Sequence, residues 1–219
     1  MTEKDALSGV PVYREPRWPA VVALLAVGGI YTALPEYLVM GPGWLVLGIV
    51  GVLLVPLLVT HYVGHDRLNR FLGYVVSIIT TVALIFSLFL LINALPQHKE
   101  SATELLRSAG LLWVTNILVF SLWYWRLDAG GPHSRDRRDR HTEGSFLFPQ
   151  MTQYRGDASK GRWSPQFIDY LFIAFNTSTA FSPTDTPILS RWAKLLTMIQ
   201  ALISLVIVAL LVSRAIGLL

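Results

Sequence analysis

Residues 71–95 read FLGYVVSIITTVALIFSLFLLINAL, twenty-five positions without a charged side chain. A helix needs about 20 predominantly apolar residues to cross the hydrocarbon core of a bilayer, so this stretch is long enough by itself. Working outward from it, four more blocks pass the same length test: about Trp18 to Leu34, Gly43 to Tyr62, Leu105 to Trp125 and Trp192 to Leu218. Pro19 and Pro35 bound the first and shortest. The second contains Pro56, which removes one backbone donor and is tolerated where helices are bundled in lipid. The fourth ends in Trp123, Tyr124 and Trp125, an aromatic cluster suited to the headgroup level. The blocks lack the two-residue alternation of membrane strands. The reading is therefore all-α: a polytopic transmembrane helix bundle with five spans and one re-entrant, pore-helix-like segment.

Composition agrees. Of 219 residues, 53% are hydrophobic and 15% charged, with a mean hydropathy of +0.51; a soluble domain carries about 25% charged residues. The chain has no cysteine, which excludes disulfides, iron–sulfur ligation, thiol catalysis and thiolate zinc sites. The net charge of +4 is read as topological anchoring and not as nucleic-acid binding. With five spans one side collects Lys4, Arg14, Arg17, Arg67, Arg70, Arg126, Arg135, Arg137, Arg138, Arg140, Arg155, Lys160, Arg162, Arg191 and Lys194, and the other only Lys99, Arg107 and Arg214. Basic residues near span ends stay in the cytoplasm, so the N-terminus is expected there and the C-terminus outside. The start, MTEKDALSGVPVYREPRW, carries acids and prolines, unlike a cleavable signal peptide.

The expected organisation is a cytoplasmic N-terminal segment (1–17), a four-helix region (18–126), a basic cytoplasmic loop (127–163) and a last unit (164–219). The loop begins DAGGPHS, continues RDRRDRHTEG and reaches FLFPQMTQY. It reads as a solvated connector, or as a site for anionic lipid headgroups through Arg135, Arg137, Arg138 and Arg140. Phe146, Leu147 and Phe148 either lie on the membrane surface or plug against the bundle. Residues 164–190, SPQFIDYLFIAFNTSTAFSPTDTPILS, open like a helix, with Ser164 as cap and Pro165 in the first turn. The apolar run from Tyr170 to Phe175 is short, and Asp169 and Asn176 to Thr179 flank it. Crossing lipid would bury those polar groups without partners, which favours re-entry. A sixth crossing remains open, because it leaves the basic count at fourteen against four.

Polar residues within spans point to function by default. Asn93, Thr115, Asn116, Gln200 and Ser204 are single, and interhelical hydrogen bonding accounts for Asn116 and Gln200. Asn176, Thr177, Ser178, Thr179, Thr184, Asp185 and Thr186 are dense, beside a helix that ends within or at the membrane, as in sites built on broken helices. They are the candidate permeation or binding residues. His61 and His65, beside Asp66, would share a face if their helix continued, but Gly64 intervenes and no third ligand is near, so no metal site is expected. No cofactor and no enzyme activity are expected: paired intramembrane aspartates and a serine with a histidine partner are lacking.

The fourth span, DYLFIAF, NTSTAFSPTD and WAKLLTMIQALISLVIVALLVSRAI together resemble the outer helix, pore helix, filter and inner helix of tetrameric cation channels over residues 105–219. That implies a homo-oligomer passing an ion or small solute. Potassium channels carry Thr-Val-Gly-Tyr-Gly-Asp, whose glycines aim carbonyls at the ion; Thr179 to Asp185 has no glycine and contains Pro183. Channel pore loops also enter from outside, whereas the arginines place this one in the cytoplasm. WVTNILVFSLWYWRLDAGGP, FLFPQM and FNTSTAFSPTDTPILSRWAKLLTMIQALISLV resemble a set of small bacterial multi-pass membrane proteins. That likeness implies an inner-membrane location and brings no site residues. Two functions follow: a channel-like or transport protein, or a non-transporting structural or interaction protein whose basic loop binds lipid or a partner.

Overall fold

The computed structural model describes residues 15–94, 101–137, 144–153, 163–180 and 185–216. Helix α1, Trp18–Ala33, starts with proline in its first turn and stops where Leu34 turns extended before Pro35. The missing proline N–H costs nothing there. After a 3-10 turn at Glu36–Leu38, α2 spans Leu45–Val63 and runs through Pro56 unbroken. It ends at Gly64, whose φ of 80° is left-handed and whose N–H closes on the Thr60 carbonyl. Helix α3, Asp66–Ala94, is 29 residues long, starting five residues before the expected Phe71. Asp66 in its first turn meets the positive end of the helix dipole, and Arg67, Asn69 and Arg70 are thereby helical. Because α2 has stopped, His65 does not share a helix face with His61.

Helix α4, Ala102–Leu127, is capped by Ser101, whose side chain accepts from the Glu104 N–H at 3.2 Å. A 3-10 turn at Asp128–Gly130 leads to two five-residue helices, α5 (Pro132–Asp136) and α6 (Pro149–Gln153). Helix α7, Phe167–Thr179, has 13 residues, and α8, Arg191–Ile216, has 26. The α7 cap differs from expectation: the helix begins after Gln166, not at Ser164, and the Asp169 carboxylate accepts the Gln166 N–H at 2.7 Å.

The protein is all-helical in its described elements, and α2, α3, α4 and α8 are long and apolar enough to cross a membrane, with α1 a shorter apolar helix. Val52, Val55 and Val59 on α2, and Leu195, Met198 and Leu202 on α8, are each more than half exposed. Such stripes at three- and four-residue spacing are stable against lipid and not against water.

Helix α4 is the centre of the bundle, packed against α1, α3, α7 and α8, with α2 held between α1 and α3. The Phe146 ring meets Tyr124 near the end of α4 at 5.2 Å, Tyr170 early in α7 at 6.1 Å and Trp192 at the start of α8 at 6.3 Å. An isolated antiparallel bridge pairs Phe146 with Ile188, carried by Leu147 N–H to Pro187 O (2.9 Å) and Leu189 N–H to Ser145 O (2.8 Å). The starts of α7 and α8 thus share one level, at the end where α4 finishes. The described ends of this loop, 128–137 and 144–148, correct the picture of a solvated connector there, while residues 138–143 lie outside the described residues. Asp128, Phe146 and Phe148 are at most 3% exposed, and Phe146 plugs the bundle. The buried Asp128 carboxylate needs donors, and takes them from the Ser145 N–H and the Tyr170 hydroxyl (2.7 Å).

Candidate functional site

Two polar regions interrupt the apolar bundle. The first holds the residues singled out by sequence on α7. Thr177 and Thr179 return their hydroxyls to their own helix, at the carbonyls of Ile173 (2.8 Å) and Phe175 (2.9 Å). Ser178 is fully buried and accepts from Gln200 Nε2 at 2.8 Å; the same amide donates to the Ala174 carbonyl at 2.7 Å. Gln200 Oε1 accepts the Tyr124 hydroxyl. Asn116 Nδ2 donates to Ser204 Oγ at 2.7 Å and to the Gln200 carbonyl at 3.3 Å. Trp113 Nε1 reaches the Ser178 carbonyl at 3.4 Å. Gln200 therefore ties α4, α7 and α8 into one knot. Of the other candidates, Asn176 is half-buried, Thr186 is buried, Asp185 is exposed, and Thr184 lies outside the described residues. The knot takes Ser178 from the predicted set and joins it to Asn116, Gln200 and Ser204, which sequence marked as helix glue. Tyr124 and Trp113 were read only as interfacial aromatics or as span; a phenol and an indole facing glutamine and serine become visible only once α7 and α8 are laid on α4.

The second region lies at the other arm of the fold, where α1, α2, α3 and α4 meet α5. Arg135, considered above as a headgroup ligand, turns inward instead: its side chain is 1% exposed. It donates to the carbonyls of Trp125 and Asp128, both at 2.9 Å, and pairs with Glu15 at 2.9 Å. Its guanidinium also lies 5.0 Å from the Tyr170 ring centre. Glu15 in turn pairs with Arg17 at 3.3 Å and accepts the Trp125 indole N–H. Arg17 pairs with Asp136 as well. Burial raises the Glu15 carboxyl above its ordinary value against the pull of Arg135 and Arg17, and burial lowers Arg17. A charge buried this deeply is tolerated only with its partners in place. Arg137 is exposed and pairs with Asp66; Arg138 and Arg140 lie outside the described residues.

Beside this paired cluster is a cavity of about 40 Å³, against the roughly 10–15 Å³ that admits one water. Its polar wall holds Arg17, Arg70, Arg126, Asn69, Tyr74, His61 and His133, and among the described residues no carboxylate lines it. Asn69 is locked by donating to Thr60 Oγ1 at 3.0 Å and to the Leu57 carbonyl, which turns its own carbonyl toward His133 Nε2 at 2.9 Å. The His133 ring stands 5.4 Å from that of His61. Burial, followed by the Arg17 charge, lowers the His133 pKa to about 4, so the ring is neutral at pH 7. Arg126 is only 7% exposed, yet it makes no ion pair and no hydrogen bond among the described residues, and its Nε is buried without a partner. Trp125, 5.4 Å from its guanidinium, offers the ring face alone. A β-carbon at Gly73 would overlap this guanidinium, so glycine on α3 makes its seat. Sequence reading counted Arg126 as a topological anchor, and nothing in the spacing separated it from its paired neighbours. Compared with protein-family models, curated proteins and solved structures, the chain matches none.

Proposed function

We propose that the chain is a non-transporting, multi-pass protein of the bacterial inner membrane, with five spans (α1, α2, α3, α4 and α8), a re-entrant α7 and a cytoplasmic arginine-rich end that engages an anionic partner. The single observation that carries the reading is the Gln200 knot: the buried polar groups of α7 are spent on α4, α8 and their own backbone, as in a structural tie. Re-entry is supported by the common level of the α7 and α8 starts around Phe146. The basic asymmetry supports the cytoplasmic placement, and the resemblance to small bacterial membrane proteins supports the location.

A second reading, the channel-like one, is favoured by the packing of α7 between an outer helix α4 and an inner helix α8, with Thr179 and Asp185 exposed. Flux separates the two. Proteoliposomes of the intact chain are expected to pass sodium and potassium no faster than protein-free vesicles; a protein-dependent flux lost in Asp185→Ala reverses the order. The cysteine-free background permits a topology test in membranes with single cysteines at Arg137, Leu189 and Arg107. The first two are expected to label from the cytoplasmic side and the third from the opposite side. Labelling of Leu189 together with Arg107 makes α7 a sixth crossing.

A further inference from the structure

We propose that the cavity between α1, α2, α3 and α4 seats one phosphate group, with Arg126 as its principal ligand and Arg17 and Arg70 beside it. The inference rests on the reading above, that the arginine end is the interacting face, and gives the partner its chemistry. Three guanidinium groups reach one small cavity whose wall holds no carboxylate among the described residues. Arg17 is balanced by Glu15 and Asp136, whereas Arg126, 7% exposed and with its Nε buried unpartnered, has no counter-charge among the described residues. A desolvated arginine is stable when a charge-complementary group accepts its hydrogen bonds, and its planar fork matches two oxygens of a phosphate.

Access and shape follow the same line. Arg70 both lines the cavity and is exposed, so the cavity reaches the surface beside it. Asn69 and His133 are held by each other and by α2; they fix the wall and leave the arginines to bind. The remaining wall is apolar, Ala20, Leu24 and Leu57 among it, where α1 faces α2. A phosphate carrying an acyl chain at the headgroup level would meet both halves; a free phosphate would meet only the arginines. The shared chemistry is the phosphate group, and the experiment separates the sources.

The test is thermal unfolding of the intact chain in mild detergent with three probes: millimolar inorganic phosphate, phosphatidic acid added to phosphatidylcholine micelles, and oleate, an anionic amphiphile without phosphorus. Phosphatidic acid is expected to raise the transition temperature of the natural chain. Arg126→Met abolishes that rise, and Arg70→Gln weakens the apparent affinity at least about tenfold, the loss of one charged hydrogen-bonding partner. Arg70 is exposed, so its variant folds and keeps the test decisive if Arg126→Met does not. A rise with inorganic phosphate that also needs Arg126 assigns the site to the free anion; a rise with phosphatidic acid alone assigns it to a lipid. No rise with either, an equal rise in Arg126→Met, or a rise with oleate as large as with phosphatidic acid overturns the proposal. Flux and topology labelling test the parent reading independently, so either can fail while the other stands.

Discussion

The knot at Gln200 and the cavity at Arg126 are both polar places inside one apolar bundle, and they differ in how their hydrogen bonds close. In the knot the side chains of Gln200, Ser178, Ser204 and Tyr124 each meet a partner on another helix, and of its amide groups the Asn116 Oδ1 alone is left buried without one among the described residues. At the cavity, the Nε of Arg126 is buried without a partner, and its guanidinium forms no ion pair among the described residues and meets only the Trp125 ring face. Where polar groups satisfy one another they hold helices together; where a buried charge lacks its complement, the fold bears a cost that a ligand can offset. Arg135, nine positions on in the sequence, gives the internal control, since its guanidinium is equally buried and its Nε is likewise without a partner, yet its two terminal nitrogens are engaged by Glu15 and two carbonyls.

The largest effect is therefore expected at Arg135. Arg135→Met leaves Glu15 buried beside Trp125 with only Arg17 as counter-ion and strips two carbonyls of their donor. Breaking a buried pair in this way costs about 3–5 kcal/mol, to be read as a fall in the unfolding transition in detergent. A loss below about 1 kcal/mol would mean that paired and unpaired arginines are equivalent here, and the comparison fails. Next is Gln200→Leu, which takes the Oε1 acceptor from the Tyr124 hydroxyl and the amide donor from Ser178 inside the knot. Unsatisfied buried groups cost about 1–3 kcal/mol each, while single interhelical bonds in lipid average about 0.6, so a net loss of about 2 kcal/mol is expected from denaturant unfolding. Ser204→Ala, which removes one partner of Asn116, is expected to cost under about 1 kcal/mol.

The helices were legible because lipid imposes a simple rule, twenty apolar residues without charge, and residues 71–95 satisfy it without ambiguity. The bounds were less so: Arg67 and Arg70 look like loop residues, but Asp66 starts the helix before them. Gln200 and Asn116 were recognised as helix glue from their position within spans, which the hydrogen bonds bear out. The fate of the arginines was illegible. Arg126, Arg135 and Arg137 fall within twelve residues of one another, and sequence treats them alike; one is buried without an ion pair among the described residues, one is buried in a network and one is exposed on Asp66. What separates them is the sharp turn after α4, where Ala129, Gly130 and Gly131 all take positive φ and fold α5 back so that Arg135 faces Glu15. Glycine pairs announce a turn, but not the side chains it brings together.

Acid sharpens the comparison from the cavity side. Arg17, Asp66, His61 and Asp136 face His133, and burial with Arg17 holds its pKa at about 4 against an ordinary 6.5. The unfolded chain therefore binds a proton at His133 before the folded one does. Stability from this group is fully present above pH 6.5, falls as pH drops toward 4 and levels off below it. With 14% of the side chain exposed, solvent screening leaves about 1–2 kcal/mol. Unfolding measured between pH 4 and 7 should show the slope, and His133→Asn should flatten it relative to the natural chain; an unchanged slope in the variant assigns it to other groups.

The smallest expected change in stability is the most informative. Arg126→Met keeps the apolar stem of the side chain and removes a charge that has no counter-ion, so in ligand-free detergent the variant should unfold within about 1 kcal/mol of the natural chain, or later. The cation–π contact with Trp125 is worth about 0.5–2 kcal/mol, and relief from desolvation works against its loss. Arg126 and Arg135 have similar burial and the same side chain, so packing alone predicts comparable losses for their methionine variants. Only the presence or absence of a carboxylate partner predicts a large loss at one and almost none at the other. If Arg126→Met proves as damaging as Arg135→Met, the guanidinium is held by the protein itself, and the cavity is a structural void. If it is tolerated, the arginine is retained at a cost to the empty fold, which is how a binding group behaves.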